Sequence, residues 1–349
     1  MSSAHNSLQM ILDNILSEYT RAGKKIPNPD TDEIGEFTSK SAIILLERLK
    51  SEAKFTLEAS KEIEKKFEEA VLVTWRKPFD FLDLLLHISL EVSSELTSGL
   101  ESVSSSKHNY IQVALANQQA NACLVFNEII HLLKSGFPNG AHSNWKRLHE
   151  IACVSYFVSK HGEDMAKRFL DYYIVESYYQ AQAIMDHQQK MDCTFLSVND
   201  LRVMKKEFNK MKKRYGSDFV SKASYPYGWV PRKALKTRSL RAIEKAVKLD
   251  MLRPYYDVAD YNMLGGPKGL MFKVGTVNKG KHTLTPVGPS NYGLADPGKS
   301  AAISLGQVMA CVLLTESTFE RLVIVEALRI LVDEICNAFC EIQAEFGKK

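Results

Sequence analysis

The stretch 110–162, YIQVALANQQANACLVFNEIIHLLKSGFPNGAHSNWKRLHEIACVSYFVSKHG, decides the fold. On both sides of the sequence GFPNG (136–140), apolar residues recur every three or four positions, which is the spacing of amphipathic helices. Glycine and proline within GFPNG are typical of a turn. Gly162 predicts a helix end, because glycine accepts the left-handed backbone that often follows a last helical turn. The stretch therefore predicts two helices joined by a short turn.

The rest of the chain is mostly helical by the same criterion. The apolar spacing predicts further helices over 3–23, 39–72, from Pro78 onward, over 163–190, 198–215 and the last 50 residues. Only 269–287 has an extended pattern, with a hairpin around the sequence NKGK. We predict an all-α multi-helix bundle with a long, charged N-terminal helix (39–72) and one irregular hairpin insertion before the C-terminal helix.

A polar segment that contains proline, 24–37, indicates a linker near the N-terminus. We therefore predict two parts, which are N-terminal helices with their linker over 1–74 and a helical core domain over 75–349. The long helix 39–72 has no break, which favours contact with another helix in a homo-oligomer or a partner protein.

Composition places the chain among ordinary globular proteins. Of its 349 residues, 45% are apolar and 25% are charged, which excludes a disordered or fibrous chain. The N-terminus lacks the basic start and apolar run of a signal peptide, and the most apolar stretch, 301–315, is too short to span a bilayer. We expect a cytoplasmic protein with no membrane partner.

Cysteine and histidine spacing predicts neither a metal site nor a cofactor. The six cysteines lie mostly in apolar helical patterns, which favours reduced core thiols. Cys336 and Cys340 are four residues apart, and this pair would supply only half of a metal site.

Positive charge is concentrated in residues 201–248, where 15 Lys and Arg residues stand against three acidic ones, a local charge of +12. Tyr225, Tyr227 and Trp229 lie among these cations, and this combination is typical of nucleic-acid binding. The alternative is that the aromatic residues pack inside and the cations form a solvated face. If the segment binds RNA or DNA, the predicted contacts are Lys205, Lys206, Lys210, Lys212, Lys213, Arg214, Arg232 and Lys233.

The sequence NWKRLHEI (144–151) contains the candidate catalytic residues. Arg147 could contact an anion or phosphate, and His149 or Glu150 could transfer a proton. The alternative is that Arg147 forms a salt bridge that ties its helix to a neighbouring helix. Both interpretations stay open from the sequence.

The segment GLADPGKS (293–300) fits the phosphate-loop pattern Gly-x-x-x-x-Gly-Lys-Ser, but its context does not. Turn-forming residues precede it instead of a buried strand, and Pro297 removes an amide that would otherwise face the phosphate. We interpret it as a structural loop and helix start, with Asp296 as the cap, Pro297 as the first helical residue and Gly298 as a point of close backbone approach.

Several segments together are similar to an uncharacterised bacterial family, domain of unknown function 5677. These segments span roughly residues 75–310 and are WRKPFDFLDLLLHI, LLKSGFPNGAHSNWKRLHEIA, YGSDF, YGW, LRPYYDVAD, GGPKG and GPSNYGLADPG. The resemblance implies a helical fold and no established reaction. The recurring pattern of the family resembles this chain at Arg147, Glu150, Asn291, Gly293, Asp296 and Pro297.

These observations lead to three hypotheses of function. The first is a binding or regulatory protein that contacts nucleic acid through 201–248, with phage defence or stress response as its suggested setting. The second is a hydrolase or nuclease built around Arg147 and Glu150, in a pocket shared with the loop 291–296. The third is a structural partner that assembles through the helix 39–72.

Overall fold

The computed structural model describes residues 4–28, 30–31, 33–102, 109–191, 195–263, 266–271, 275, 277–279, 282–284 and 287–346. These residues are mostly α-helical and include one short hairpin, so the predicted all-α class is confirmed. The elements are α1 (Ala4–Arg21), α2 (Glu33–Thr74), α3 (Arg76–Ser102), α4 (Tyr110–Lys134), α5 (Pro138–His161), α6 (Glu163–His187), α7 (Val198–Tyr215), α8 (Leu240–Val247), α9 (Arg253–Met263), α10 (Pro267–Met271), β1 (Val277–Lys279), β2 (His282–Leu284), α11 (Ala295–Leu313) and α12 (Phe319–Phe346).

The chain divides into two compact units, residues 1–70 and 71–349. In the first unit, the Arg48 guanidinium lies 2.7 Å from a Glu18 carboxylate oxygen and so connects α2 to α1. α2 begins at Glu33, whereas the sequence predicted a linker as far as residue 37. Glu33 and Glu36 lie in the first turn of α2, where negative charge stabilises the helix N-terminus.

In the second unit, α4 and α5 form the predicted helix–turn–helix and pack closely against each other. Pro138 is the first residue of α5, a position where the missing amide hydrogen costs no helical hydrogen bond. Gly162 ends α5 with a φ of 80°, as its residue type predicted.

The centre of the second unit is α11, which packs against α4, α5 and α12. Its residues are largely buried, and the Trp145 indole nitrogen donates to the Ser304 hydroxyl over 3.0 Å, which connects α5 to α11. At Gly298, an added Cβ would lie 2.3 Å from the Phe339 ring of α12. α11 and α12 therefore meet closely at Gly298, but the group that fills the space is the Phe339 side chain and not a second backbone as predicted.

The C-terminal region contains two helices, α11 and α12, where the sequence suggested one closing helix. α11 starts at Ala295, so Asp296 and Pro297 lie inside its first turn and Asp296 does not act as the cap. Asp296 instead lies 3.2 Å from the Lys299 ammonium. Its charge still favours the helix N-terminus through the helix dipole.

The predicted hairpin is formed by β1 and β2, which pair antiparallel with Val277 opposite Leu284. Among the described residues, none of the helices is both long enough and apolar enough to cross a bilayer.

Candidate functional site

Helix α7 presents most of the predicted nucleic-acid contacts to solvent. Ser197 caps its start together with Asp200, and Gly216 ends it. The apolar side of α7 faces α6, where the Phe208 ring lies 4.5 Å from the ring of Tyr178. The opposite side is exposed and carries Lys205, Lys206, Lys210, Lys212, Lys213 and Arg214.

The end of α7, α6 and the chain around residue 233 enclose an open groove of about 620 Å³, called the basic groove below. Its described lining has four Lys or Arg side chains, one histidine and one carboxylate, that of Asp164. Arg214 and Lys233 were predicted contacts. Two further cations, Lys167 and Arg168, come from α6, outside the basic segment 201–248. The four cations are Lys167, Arg168, Arg214 and Lys233.

These four cations have different surroundings. The Lys167 ammonium lies 3.8 Å from the centre of the Tyr110 ring. Arg168 donates to the Trp229 carbonyl over 2.9 Å and lies over the Tyr215 ring at 4.8 Å, and its burial lowers the pKa of its guanidinium. Arg214 lies 3.5 Å from the Asp171 carboxylate. Lys233 is exposed, and within the described part of the chain it forms no ion pair. Lys233 is therefore free to meet an external anion.

Arg232, another predicted contact, shares the Asp218 carboxylate with Arg238. The Arg232 Nε lies 3.2 Å from Asp218, and the buried Arg238 guanidinium also contacts this carboxylate. These two arginines lower the pKa of Asp218, the Arg232 hydrogen bond having the largest effect. Part of the charge of Arg232 is thus balanced by a neighbouring carboxylate at the protein surface.

The aromatic residues of the basic segment are mostly turned inward. Trp229 is only 3% exposed and its ring lies 5.1 Å from that of Phe169. Tyr227 donates its hydroxyl to Glu150 over 2.6 Å. Only Tyr225 of the three predicted aromatics is exposed. Stacking of bases on Trp229 is therefore excluded in this conformation.

The candidate catalytic residues lie on α5 in three different surroundings. Arg147 is 54% exposed at its side chain, and its guanidinium lies 3.2 Å from Glu128 on α4. His149 is fully buried. Glu150 is half-buried and accepts the hydrogen bond from Tyr227. The three side chains therefore do not meet at one point.

His149 instead belongs to a buried cluster, a term used below for His149, Cys153, Glu244 and Arg253. The His149 Nε2 lies 3.0 Å from Glu244 Oε1 and 3.6 Å from the Cys153 Sγ. The other oxygen of Glu244 accepts a close hydrogen bond from Arg253. Burial raises the pKa of the Cys153 thiol, which favours its protonated form.

More polar groups from α5 and α9 surround the buried cluster. The Lys146 ammonium contacts Asp260 and lies 4.2 Å from the centre of the Tyr256 ring, while burial lowers its pKa. The Tyr256 ring is 5.9 Å from the His149 ring. Burial raises the pKa of Tyr256 to about 12, so its hydroxyl stays protonated at neutral pH.

One turn before Lys146 on α5, His142 is buried against Trp145, with ring centres 5.5 Å apart. Neither ring nitrogen has a partner of ordinary hydrogen-bond geometry among the described residues, although the Tyr255 backbone lies close enough to favour the charged ring. Burial nonetheless lowers the pKa of His142 to about 4, against the opposing charge of Asp296. His142 is thus neutral at pH 7.

The predicted structural loop lies beside the start of α3. The Trp75 indole nitrogen donates to the Asn291 side-chain oxygen over 2.7 Å. Gly293 has a φ of 78°, a conformation that glycine adopts without steric cost. Asp296 and Pro297 follow in the first turn of α11. The loop residues thus lie in structural surroundings. The charge of Asp296 acts on the pKa of His142 on α5.

Sequence reasoning missed several residues of these two regions. His149 was a candidate catalytic residue, but Cys153 was predicted only as a reduced core thiol, although a spacing of four places the two residues on one face of α5. Glu244 stands in the basic segment 95 residues from His149, and no local pattern connects them. Lys167 and Arg168 were missed because α6 carries no strong local excess of positive charge.

Residues 112–263 match the family of unknown function DUF5677. Comparison with curated proteins and comparison with solved structures each gave no match. The matched range contains α5, α7, α8 and α9, and therefore both the basic groove and the buried cluster. It is shorter than the range 75–310 over which the sequence suggested a likeness, and over 112–263 the predicted resemblance to this family of unknown function is confirmed.

Proposed function

We propose that the protein binds the phosphate backbone of RNA or DNA through the exposed face of α7 and the adjoining basic groove. The observation that carries this proposal is the charge of the groove, where four Lys or Arg side chains stand against one carboxylate. Phosphates that replace the counterions around such cations release those ions into solution, and this release drives binding.

The contacts favour backbone binding over reading of bases. Trp229 and Tyr227 pack inward, so two of the three aromatic residues that could stack on bases are withdrawn. Lysines on the exposed side of α7 offer point charges without fixed geometry. We therefore expect binding with little dependence on sequence and a strong dependence on salt.

Fluorescence anisotropy with a labelled single-stranded RNA and a labelled DNA duplex, titrated at several salt concentrations, tests the proposal. The double variant Arg214→Gln/Lys233→Gln removes two cations of the basic groove. If both contact phosphate, the slope of log affinity against log salt becomes shallower by about 1.8 for the DNA duplex and about 1.4 for the single-stranded RNA.

The matched control is Lys54→Gln, which removes an exposed lysine of α2 that has no ion pair among the described residues. We expect its affinity and salt slope to equal those of the wild type. Absence of wild-type binding at low salt would sink the proposal, as would equal slopes for the wild type and the double variant.

The suggested setting in phage defence or stress response, the hydrolase hypothesis around Arg147 and Glu150, and assembly through the helix 39–72 all stay predictions. For assembly, exposed apolar residues on α2 such as Phe55, Leu57 and Ile63 give a reason to measure the mass of the protein in solution. A monomer at high concentration would count against assembly.

A further inference from the structure

The buried cluster brings together three chemically different donor atoms. His149 and Cys153 stand one helical turn apart on α5, and Glu244 faces them from α8. One nitrogen, one sulfur and one oxygen atom of these residues all lie within 4.8 Å of one another. All three side chains are buried from bulk solvent.

From this convergence we infer that His149, Cys153 and Glu244 form a binding site for a zinc-like divalent cation. Zinc accepts nitrogen, sulfur and oxygen ligands at about 2.0 to 2.3 Å in tetrahedral geometry, which places neighbouring ligand atoms about 3.3 to 3.6 Å apart. The observed separations from His149 Nε2 are 3.0 Å to Glu244 and 3.6 Å to Cys153. The Cys153 sulfur and the Glu244 oxygen lie within 4.8 Å of each other, so ligation of a shared ion requires these two side chains to approach by up to about 1 Å.

The same atoms do not fit a nucleophile activated by histidine. In such a triad, the nucleophile and the carboxylate contact opposite nitrogens of the imidazole ring. Here the Cys153 sulfur and a Glu244 oxygen both face Nε2, while Nδ1 is buried without a hydrogen-bond partner among the described residues. Donor atoms that face one common point can all bind the same metal ion. A proton relay instead requires the nucleophile and the carboxylate to contact opposite nitrogens of the histidine ring.

Arg253 is compatible with this site because it uses the other oxygen of Glu244. Its guanidinium contacts Oε2, which leaves Oε1 facing His149 and fixes the orientation of the carboxylate. Residues that hold a metal ligand in this way commonly tune a site. When a divalent cation binds, the Cys153 thiol releases its proton to solvent, and the resulting thiolate and the Glu244 carboxylate balance the charge of the ion. Three protein ligands leave a fourth position for water or another small ligand.

This inference departs from the sequence-based expectation that the chain has no metal site. That expectation rested on the absence of a complete motif of Cys and His residues along the sequence. Glu244 completes the set from a different helix, and its place could not be read from local spacing.

Binding of Co²⁺ to chelator-treated protein tests the inference, because a cobalt–thiolate bond gives a charge-transfer absorption band. The full chain carries Cys336→Ser and Cys340→Ser in this experiment, since these α12 thiols are the least buried of the described cysteines. We expect one Co²⁺ per chain, the thiolate band, and displacement of cobalt by Zn²⁺.

Cys153→Ser in the same background should abolish the band and weaken Zn²⁺ binding more than about 100-fold, because even loss of a residue that only orients a ligand costs 10- to 100-fold. The matched control is Cys123→Ser, which alters a buried thiol of α4 and should change neither quantity. Circular dichroism checks that each variant folds. A wild-type cluster that binds no Co²⁺, or binds it without the thiolate band, would overturn the inference, and this wild-type result does not depend on whether Cys153→Ser folds.

Discussion

The buried cluster and the basic groove differ in whether their charged side chains are paired within the protein. In the buried cluster, the Glu244 carboxylate contacts both Arg253 and His149, because an unpaired charge in the protein interior is costly. In the basic groove, Lys233 faces water without a partner among the described residues. Charges of the first kind are already engaged within the fold, whereas a solvated, unpaired cation can bind a phosphate without first breaking an internal contact.

Among the changes that test this difference, removal of the Glu244 carboxylate is expected to lower the free energy of unfolding most. Glu244→Gln keeps the shape of the side chain but removes the buried carboxylate from Arg253, which then keeps only the more exposed Asp257 carboxylate, at 3.5 Å, as an ion-pair partner among the described residues. Loss of one partner from a buried ion pair typically costs about 3 to 5 kcal/mol. We expect a loss of this size in the free energy of unfolding, measured by urea denaturation.

Glu326→Gln on α12 is the matched control for this variant. Glu326 also pairs with one arginine, Arg329, at 2.7 Å, but both side chains are more than half exposed. An exposed pair contributes about 0.2 to 1 kcal/mol, so the control should stay close to the wild type. Equal losses for the two variants would contradict the proposed contrast between buried and solvated charge.

We expect acid to lower the free energy of unfolding through the buried residue His142. The pKa of this residue is about 4 in the folded chain, below the ordinary histidine value of about 6.5. Between these values the unfolded chain binds a proton that the folded chain does not, so stability falls as the pH is lowered from 6.5 to 4. The total loss from this residue is up to about 3 kcal/mol.

The measurement is urea unfolding of the wild type and His142→Asn at steps between pH 7 and pH 4. The groups whose charge acts on His142 are Asp296 on α11 and Lys146 on α5, and both stay in the variant. We expect a flatter pH dependence for His142→Asn, while His87→Asn, at an exposed position of α3, follows the wild type. Parallel curves for wild type and His142→Asn would show that His142 is not the group that titrates.

Much of the fold follows from local sequence, and the sites follow from it only in part. The break between α4 and α5, the stop at Gly162 and the apolar side of α7 are local features that the sequence predicted. The break is shorter than the predicted turn GFPNG, because it covers residues 135–137 and α5 already begins at Pro138. The separation of α11 from α12 was missed because the turn at residues 314–318 lies between two apolar segments and contains neither glycine nor proline.

The sites depend on contacts between residues that are far apart in sequence. Charge density indicated Arg214 and Lys233. The carboxylate that pairs with Arg232, Asp218, lies within the same basic segment, 14 residues away, whereas the Phe169 ring that packs against Trp229 comes from α6. Likewise, helical spacing alone places Cys153 beside His149 on α5. Glu244 joins them only because α8 packs on α5. Local pattern therefore identifies a helix face, and tertiary packing decides which charges on it stay free.

The smallest expected effect on stability is that of Arg147→Ala, and this variant also tests whether Arg147 has an enzymatic role. Its guanidinium lies 3.2 Å from Glu128, and both side chains are substantially exposed, so Arg147→Ala should cost about 0.2 to 1 kcal/mol of stability. Glu128→Ala should cost a similar amount, and the double variant little more, because both single changes break the same pair. If Arg147 contacts substrate in a hydrolase, Arg147→Ala abolishes cleavage of labelled RNA or DNA while Glu128→Ala retains it. If Arg147 only ties α5 to α4, the two variants behave alike in stability and in every nucleic-acid assay.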